Sequence, residues 1–595
     1  MTVAPERIET RLDAAIDAAT KRLLELQHPG GWWVGELESN ATMVAQHLFW
    51  HHVLNLRTPE LDRKIANELL ARQREDGTWS IWFDGPPDLS TSVEAYAALR
   101  LAGVHPGPKA RDYIRSQGGV PRTRIFTKCF LALLGQWPWN RVVPIPVELI
   151  LLPPAAPVSI YNFSCWARGT FVPLSVCRAL RPVRGADLDL REIGAQPGWS
   201  SRPHLSRRKQ VAIREAVQWV REHQEADGSW GGIQPPWVWS ILMLTALGNG
   251  FEDETLRRGV EGWEGFTIED GDRLRPEACQ SPVWDTGLAV LALRDSGLGP
   301  EHPALVRAAD WLIQEEVSVK GDWAVRKPDL APGGWAFEFE NDLYPDVDDA
   351  AVVALALRRC HRGHAAVERG LAWTAGMQSR NGGWGAFDVD NEAFWLYKLP
   401  FCDFGKVTDE PSADVTAHAL EALAPEGGYD DEVKRGLDWL LAEQEPDGSW
   451  FGRWGVNHVY GTGAAVPALE ACGLPPGHSA MRRAVAWLDA VQNEDGGFGE
   501  DIRSYADPAW RGRGVSTPSQ TAWALLAYVA SDQAESRSAH AAAEWLCAVQ
   551  DENGDWNEEH YTGTGFPLDF MIRYHLYRLH FPLLALARLR ERLSR

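Results

Sequence analysis

Gln444-Glu445-Pro446-Asp447-Gly448-Ser449-Trp450 closes an apolar, helix-patterned run ending in Leu440-Leu441. Reading it as one copy of a repeat decides the fold. The phrase is a helix end, a Gln, an acidic turn, a Gly and an aromatic. It returns at Gln73 with Gly77 and Trp79, Gln224 with Gly228 and Trp230, and Gln378 with Gly382 and Trp384. Further copies are Gln492 with Gly496 and Phe498, Gln550 with Gly554 and Trp556, and Gln27 with Trp32, while Gly321-Asp322-Trp323 is a degenerate one. Self-similarity at tens of residues marks a repeat architecture. The Gly suits a turn after a helix C-terminus, the Gln can hydrogen-bond backbone, and the Trp can cover neighbouring helices. Helical patterns such as residues 92–101 and 521–528 lie between copies, and no stretch alternates like a strand. Two helices per repeat, stacked in order, make a solenoid able to close into a toroid around a cavity. An all-α fold is predicted, with the Gln and Trp residues as scaffold.

Asp346-Val347-Asp348-Asp349 follows Tyr344-Pro345 and runs into the apolar stretch from Ala350 to Leu357. Three carboxylates this close, at the mouth of a buried helix, cannot all ionise cheaply. A like-charge pair at ~4 Å and an effective dielectric of ~20 costs roughly 4 kcal/mol, or about 3 pKa units. One carboxyl is then a candidate to hold its proton as a general acid. A second reading stands beside it: Pro345 and Asp346 form a helix start, where the dipole favours anions and lowers their pKa.

The 595 residues exceed one ordinary core. A net charge of -22 argues against nucleic acid and against general attraction to anionic lipid. The 29 tryptophans outnumber 19 phenylalanines and 12 tyrosines, which calls for a structural or functional cause. Eight scattered cysteines without a CxxC pair suggest neither a disulfide framework nor a zinc knuckle, and fit a reducing cytoplasm. The N-terminal residues carry acids and no apolar signal core, so neither export nor a membrane span is expected. Residues 181–208, rich in Pro, Gly and Arg, read as an inserted or poorly ordered loop that contacts partners.

Together the Gln/Trp repeats and the Asp-x-Asp-Asp tetrad resemble the squalene–hopene cyclases, class II terpene cyclases. The likeness covers nearly the whole chain. It includes Gln234 to Trp237, Ser281 to Asp285, Tyr344 to Asp349, Phe401 to Phe404, Asp414 to His418, Gly452 to Trp454, Ser516 to Gln520 and Tyr561 to Phe566. The resemblance implies two α/α barrels enclosing a large apolar cavity: residues 1–37 with 282–595 as the catalytic barrel, and 38–281 as an inserted second one. It implies Asp348 as proton donor to a terminal alkene of a linear polyprene, Asp346 and Asp349 as polarising neighbours, His418 as partner and Tyr460 as a water-mediated link. A lone helical histidine is more often a hydrogen-bonded core residue. The motif match, and Asp414 one turn away on the same face, favour the catalytic role. The implied cation-stabilising rings are Trp166, Trp284, Phe337, Phe387, Trp454, Phe566, Phe570, Tyr574 and Tyr577, each worth ~0.5–2 kcal/mol per contact. The last four are spaced by four, four and three, which suggests one helical face. Glu94, Arg124, Gln234, Gln46 and the Pro235 carbonyl are the implied termination group, and Phe163, Phe171, Phe401 and Cys402 the channel constriction.

The chain departs from the family at several of these positions. Phe387 stands for a tyrosine, Gln46 for a glutamate and Phe171 for a smaller residue. The stretch from Trp166 to Trp230 is shorter, without the family's membrane-inserting amphipathic helix. The Arg-rich run from Ser201 to Gln210 is read first as a solvated loop, with electrostatic contact to lipid as the alternative. The expectation is a cyclase acting on squalene or another polyprenyl or meroterpenoid chain, with no metal or organic cofactor. It would be cytoplasmic, with peripheral contact at the inner face of the membrane and a homodimeric assembly. Two other classes compete: a metal-dependent prenyl transferase, for which Cys360, His361 and His364 are the nearest ligands, and a non-catalytic lipid-binding repeat protein.

Overall fold

The computed structural model describes residues 5–198, 203–403 and 405–595, with side chains from residue 10 onward. Six helices form the inner ring of the first barrel: Pro282–Asp295, Val347–Arg359, Ala413–Leu423, His458–Ala471, Pro518–Ala530 and Tyr577–Leu593. Each packs on the next, and the last packs on the first, closing the ring. Outside it lie Pro5–Glu25, Pro303–Gln314, His364–Gly376, Asp430–Ala442, Ser479–Val491 and Arg537–Val549. The second barrel has Ala41–Leu54, Leu89–Leu101, Ile125–Leu133, Cys165–Leu180 and Gln234–Ala246 inside, and Pro59–Ala71, Pro108–Ser116, Arg207–Glu222 and Glu254–Gly262 outside. Inner helices such as Pro282–Asp295 are buried all round, whereas outer ones such as Ser479–Val491 bury one stripe, as a two-layered barrel requires. The two largest hydrophobic cores among the described residues meet at the cavity through Ile233, Phe387, Trp454 and Phe566.

The repeats act as ties. The Gln444 amide donates to the carbonyls of Gly448 (2.8 Å) and Ala480 (2.9 Å), joining one outer helix to the next. Gln73, Gln224, Gln378 and Gln492 do the same. Gln27 reaches Ala304, and Gln550 reaches Ala15, so the same device fastens the N-terminal helix across the ring closure. Each Trp is buried, and its indole N–H meets a carbonyl ten residues earlier, as Trp450 meets Leu440 at 2.8 Å. Gly448 has φ +105°, and a Cβ there would lie 2.5 Å from the Arg483 carbonyl oxygen, so the turn admits only glycine. Two assignments need correction. In the first copy the ring is Trp33, bonded to Leu23, while Trp32 stacks on His28. The degenerate copy is completed by Trp335, bonded to Leu312, because an insertion displaces the ring past Trp323. Gln444→Ala removes these two hydrogen bonds and the one that Arg483 donates to Gln444 Oε1, and leaves both carbonyls unpaired. It is expected to cost about 1–3 kcal/mol, read as a lower denaturant midpoint with activity at low temperature unchanged.

Among the described residues two small sheets form within the all-α fold, although no stretch alternates like a strand. Thr267–Asp270 pairs with Arg273–Pro276, and Phe570–Tyr574 lies between Leu37–Glu38 and Gly563–Phe566 in an antiparallel sheet. Within 181–208, residues 191–193 form a 3-10 turn. Of the Arg-rich run, Ser201 and Arg202 lie outside the described residues, and Arg207, Arg208 and Lys209 begin a helix rather than a loop. That helix, Arg207–Glu222, is amphipathic. Its apolar face, including Ala212, Ile213, Ala216 and Val220, is buried in the second barrel, so it serves as an outer helix. Among the described residues no helix is long and apolar enough to cross a membrane.

Candidate active site

A ring-lined cavity lies where the two barrels meet, and Asp346, Asp348 and Asp349 are among its lining residues. Both readings of the tetrad hold at once. Asp346 caps the helix Val347–Arg359, its Oδ1 accepting the Asp348 backbone N–H at 2.7 Å. The helix dipole nevertheless does not win: burial, then the neighbouring carboxylates, push Asp346 and Asp349 well above the usual carboxylate range. Both Asp349 side-chain oxygens are buried without a hydrogen-bond partner, as a neutral carboxyl tolerates better than a carboxylate. Asp348 Oδ1 accepts from His418 Nδ1 at 2.9 Å. Burial lowers the His418 pKa, but the Asp348 charge and hydrogen bond outweigh it and carry the value to about 9. A protonated imidazole beside Asp348 is the arrangement that stabilises the carboxylate left after proton delivery.

Asp414 does not act on His418 by hydrogen bonding. Its Oδ2 accepts the backbone N–H groups of Arg453 (2.9 Å) and Trp454 (2.7 Å), so it positions a cavity ring instead. Tyr460 lines the cavity with its ring 6.5 Å from that of His418.

Every proposed ring residue, Trp166, Trp284, Phe337, Phe387, Trp454, Phe566, Phe570, Tyr574 and Tyr577, lines this cavity. Trp166 lies 5.8 Å from both Phe387 and Trp454 and 6.0 Å from Phe566. Tyr574 stacks on Tyr577 at 4.1 Å, and the Tyr577 hydroxyl accepts from the Trp284 indole at 3.0 Å. Phe566, Phe570 and Tyr574 do not share a helix. Phe566 and Phe570 are cross-strand partners in a hairpin, and Tyr574 ends its second strand; only Tyr577 begins a helix. A spacing of four keeps residues on one face in a strand as in a helix, so spacing alone did not discriminate. Gly565 decides it: a Cβ there would stand 2.2 Å from the Phe570 ring.

The implied termination group divides. Gln234 donates to Gln46 (2.9 Å) and Gln46 to Glu94 (2.8 Å), which also takes the Thr127 hydroxyl and is pushed up to about 7 by burial. Arg124 instead pairs with Asp88 and, at 3.5 Å, Asp569. None of Gln46, Glu94, Arg124 and Gln234 is among the described lining residues, although Ile233 and Pro236 beside Gln234 are. Phe163, Phe171 and Phe401 meet at 5.4–6.4 Å and line a separate small apolar pocket. Cys402 is buried and does not line it. Cys360, His361 and His364 do not converge. Among the described residues, the side chains placed to share a cation are Glu36, Glu38 and His575, whose carboxylates already pair with Arg275, Arg72 and Arg573.

Residues 280–591 match the model of the squalene-hopene cyclase C-terminal domain, and residues 16–203 and 194–272 that of the N-terminal domain. The chain belongs to the squalene–hopene cyclase family. The squalene–hopene cyclase of Alicyclobacillus acidocaldarius is 45% identical, over 98% of each chain. That of Zymomonas mobilis is 41% identical over 98% of this chain and 95% of its own. Dammaradiene synthase of Dryopteris crassirhizoma is 37% identical over 98% and 94%. Among solved structures, ent-copalyl diphosphate synthase from Streptomyces platensis matches with a TM-score of 0.53 and 19% identity, covering 98% of this chain and 99% of that one, a likeness of fold alone.

As a terpene cyclase of this family, the chain holds its rings by residues that sequence reading passed over. Asp409 accepts the backbone N–H groups of Phe387 (2.7 Å) and Asp388 (2.8 Å), fixing the loop that presents Phe387. The Arg453 guanidinium stacks 4.1 Å from the Trp454 ring centroid. Arg453 sits in the quoted Gly452 to Trp454 motif; Asp409 has no local signal.

Proposed function

We propose that this chain protonates a terminal alkene of a linear polyprene, squalene or a similar chain, and closes it into a polycyclic product such as hopene. The observation that carries the reading is the Asp348–His418 pair at the head of a ring-walled cavity. His418 occupies Oδ1, which leaves the other Asp348 oxygen to deliver the proton. The alkene π pair takes it, a C–H bond forms, the O–H pair stays on the carboxylate, and a tertiary cation remains. Cavity rings stabilise successive cations without trapping them, as nucleophiles would. Loss of a proton or capture of water ends the sequence, with the Gln234–Gln46–Glu94 chain, which begins next to the cavity-lining Ile233, as the group that assists it. The division at 37/38 and 281/282 belongs to this reading, supported by the two cores. So does peripheral docking on lipid, supported by the exposed Phe394, Trp395 and Tyr397 shortly before Phe401.

The test is incubation with squalene and with shorter or aromatic-headed polyprenes, followed by mass-resolved product analysis. Pentacyclic product from squalene supports the reading, and failure to cyclise any polyprene overturns it. The pH profile checks the role of His418. Its pKa is raised, so the imidazolium that stabilises the departing carboxylate is fully formed below about 6.5 and is lost as pH rises through about 9. Turnover and the pair's contribution to stability are both expected to fall across that window. In His418→Gln, turnover drops about 10²-fold and the alkaline limb near 9 disappears.

A further inference from the structure

The loop leading into Asp346 brings three more polar side chains to the cavity, and proton delivery uses none of them. Glu338, Asn341 and Tyr344 all line it and are 4%, 5% and 7% exposed. Glu338 Oε1 accepts the Gln280 backbone N–H at 2.6 Å, and its other oxygen bonds to no described residue. Asn341 Oδ1 is buried without a partner, and the Tyr344 hydroxyl bonds to no described residue. Burial holds the Glu338 carboxyl well above its ordinary range, so it keeps a proton to donate. The wall runs from Phe337, 6.4 Å from Tyr574, to Tyr344, 6.4 Å from His223. It therefore connects the acid's end of the cavity to the second barrel.

A hydrocarbon cannot satisfy these atoms, and buried polar groups without partners are disfavoured. A hydroxyl can, because it donates to Asn341 Oδ1 while accepting from Glu338 or Tyr344. We propose that Glu338, Asn341 and Tyr344 form a hydroxyl-binding subsite, so that the chain takes linear polyprenyl alcohols with the alcohol oxygen held at this wall. The inference deepens the cyclase reading and rests on it for the surrounding chemistry.

Binding to Asp348→Asn protein, which holds ligand without turning it over, tests the subsite alone. Quenching of cavity tryptophans reports a linear diterpene alcohol against its methyl ether, which has lost the donor. The alcohol is expected to bind about 10-fold more tightly, the worth of one good hydrogen bond. That preference is expected to vanish when Asn341→Leu is added, with the thermal midpoint confirming the fold. Glu338→Gln, which keeps a donor, should retain it. Equal binding of alcohol and ether, or a preference that survives Asn341→Leu, overturns the proposal. So does a variant that alters only the ratio of hydrated to deprotonated product, which would mean that the wall holds water. Turnover by the Asp348 protein is measured separately, so the cyclase reading can fail while the binding preference stands.

Discussion

Asp348→Asn is expected to lower turnover by about 10³–10⁴-fold or more while the protein folds with an unchanged or slightly higher thermal midpoint. The asparagine is nearly isosteric, and its amide oxygen can still accept from His418, but it has no acidic proton for an alkene. The fold tolerates the change because it removes one of three carboxyls crowded at a buried helix start. Neither neighbour replaces it. Asp346 is engaged by the Asp348 backbone N–H, and Asp349 has no imidazole beside it. Asp349→Asn should therefore cost less, about 10- to 100-fold, through the electrostatics of the group. Single-turnover product formation distinguishes the two variants. Turnover of Asp348→Asn above about a tenth of the parent rate would remove the aspartate from the reaction.

Arg168→Met is expected to destabilise the protein by about 3–5 kcal/mol, because it strands buried charge. Arg168 leaves the second-barrel helix Cys165–Leu180, is 1% exposed, and reaches Asp322 (2.5 Å) and Asp388 (3.1 Å) of the first barrel. It also donates to the Phe163 carbonyl, and His223 shares Asp322 at 2.9 Å. Burial alone would raise the Asp322 pKa, yet Arg168 and His223 hold it well below the usual range. Without the guanidinium, two carboxylates remain inside with only partial compensation. The loss is also positional, since Asp388 adjoins Phe387 and takes the Cys165 N–H beside Trp166. Guanidinium denaturation of Arg168→Met, with Asp388→Asn added to relieve one stranded charge, should show a large loss and then partial recovery. Additive losses would mean that the bridge carries no such energy.

The repeats were legible because each is local: a Gln, a turn Gly and a Trp act within about ten residues, inside the reach of helix periodicity. The copy at Trp335 was misplaced because an insertion breaks that period. The hairpin at Phe566 and Phe570 was misread because four-residue spacing suits strand and helix alike, and only the close approach at Gly565 separates them. Asp414 sits one turn from His418 on its helix, yet its carboxylate turns to Arg453 and Trp454, 39 and 40 residues on.

By itself the sequence determined the helical repeat, the acid cluster at a helix start and the supply of aromatic rings, because these follow from neighbours along the chain. The family resemblance implied the pairing of Asp348 with His418, but no local pattern brings the two together across 70 residues, and the tertiary fold does. The tertiary fold also decided that Arg124 leaves the Glu94 chain for Asp88, and that Arg168 joins the barrels across 154 and 220 residues. Such contacts are set by ring closure and barrel docking, which bring together side chains whose separation in sequence carries no period to read.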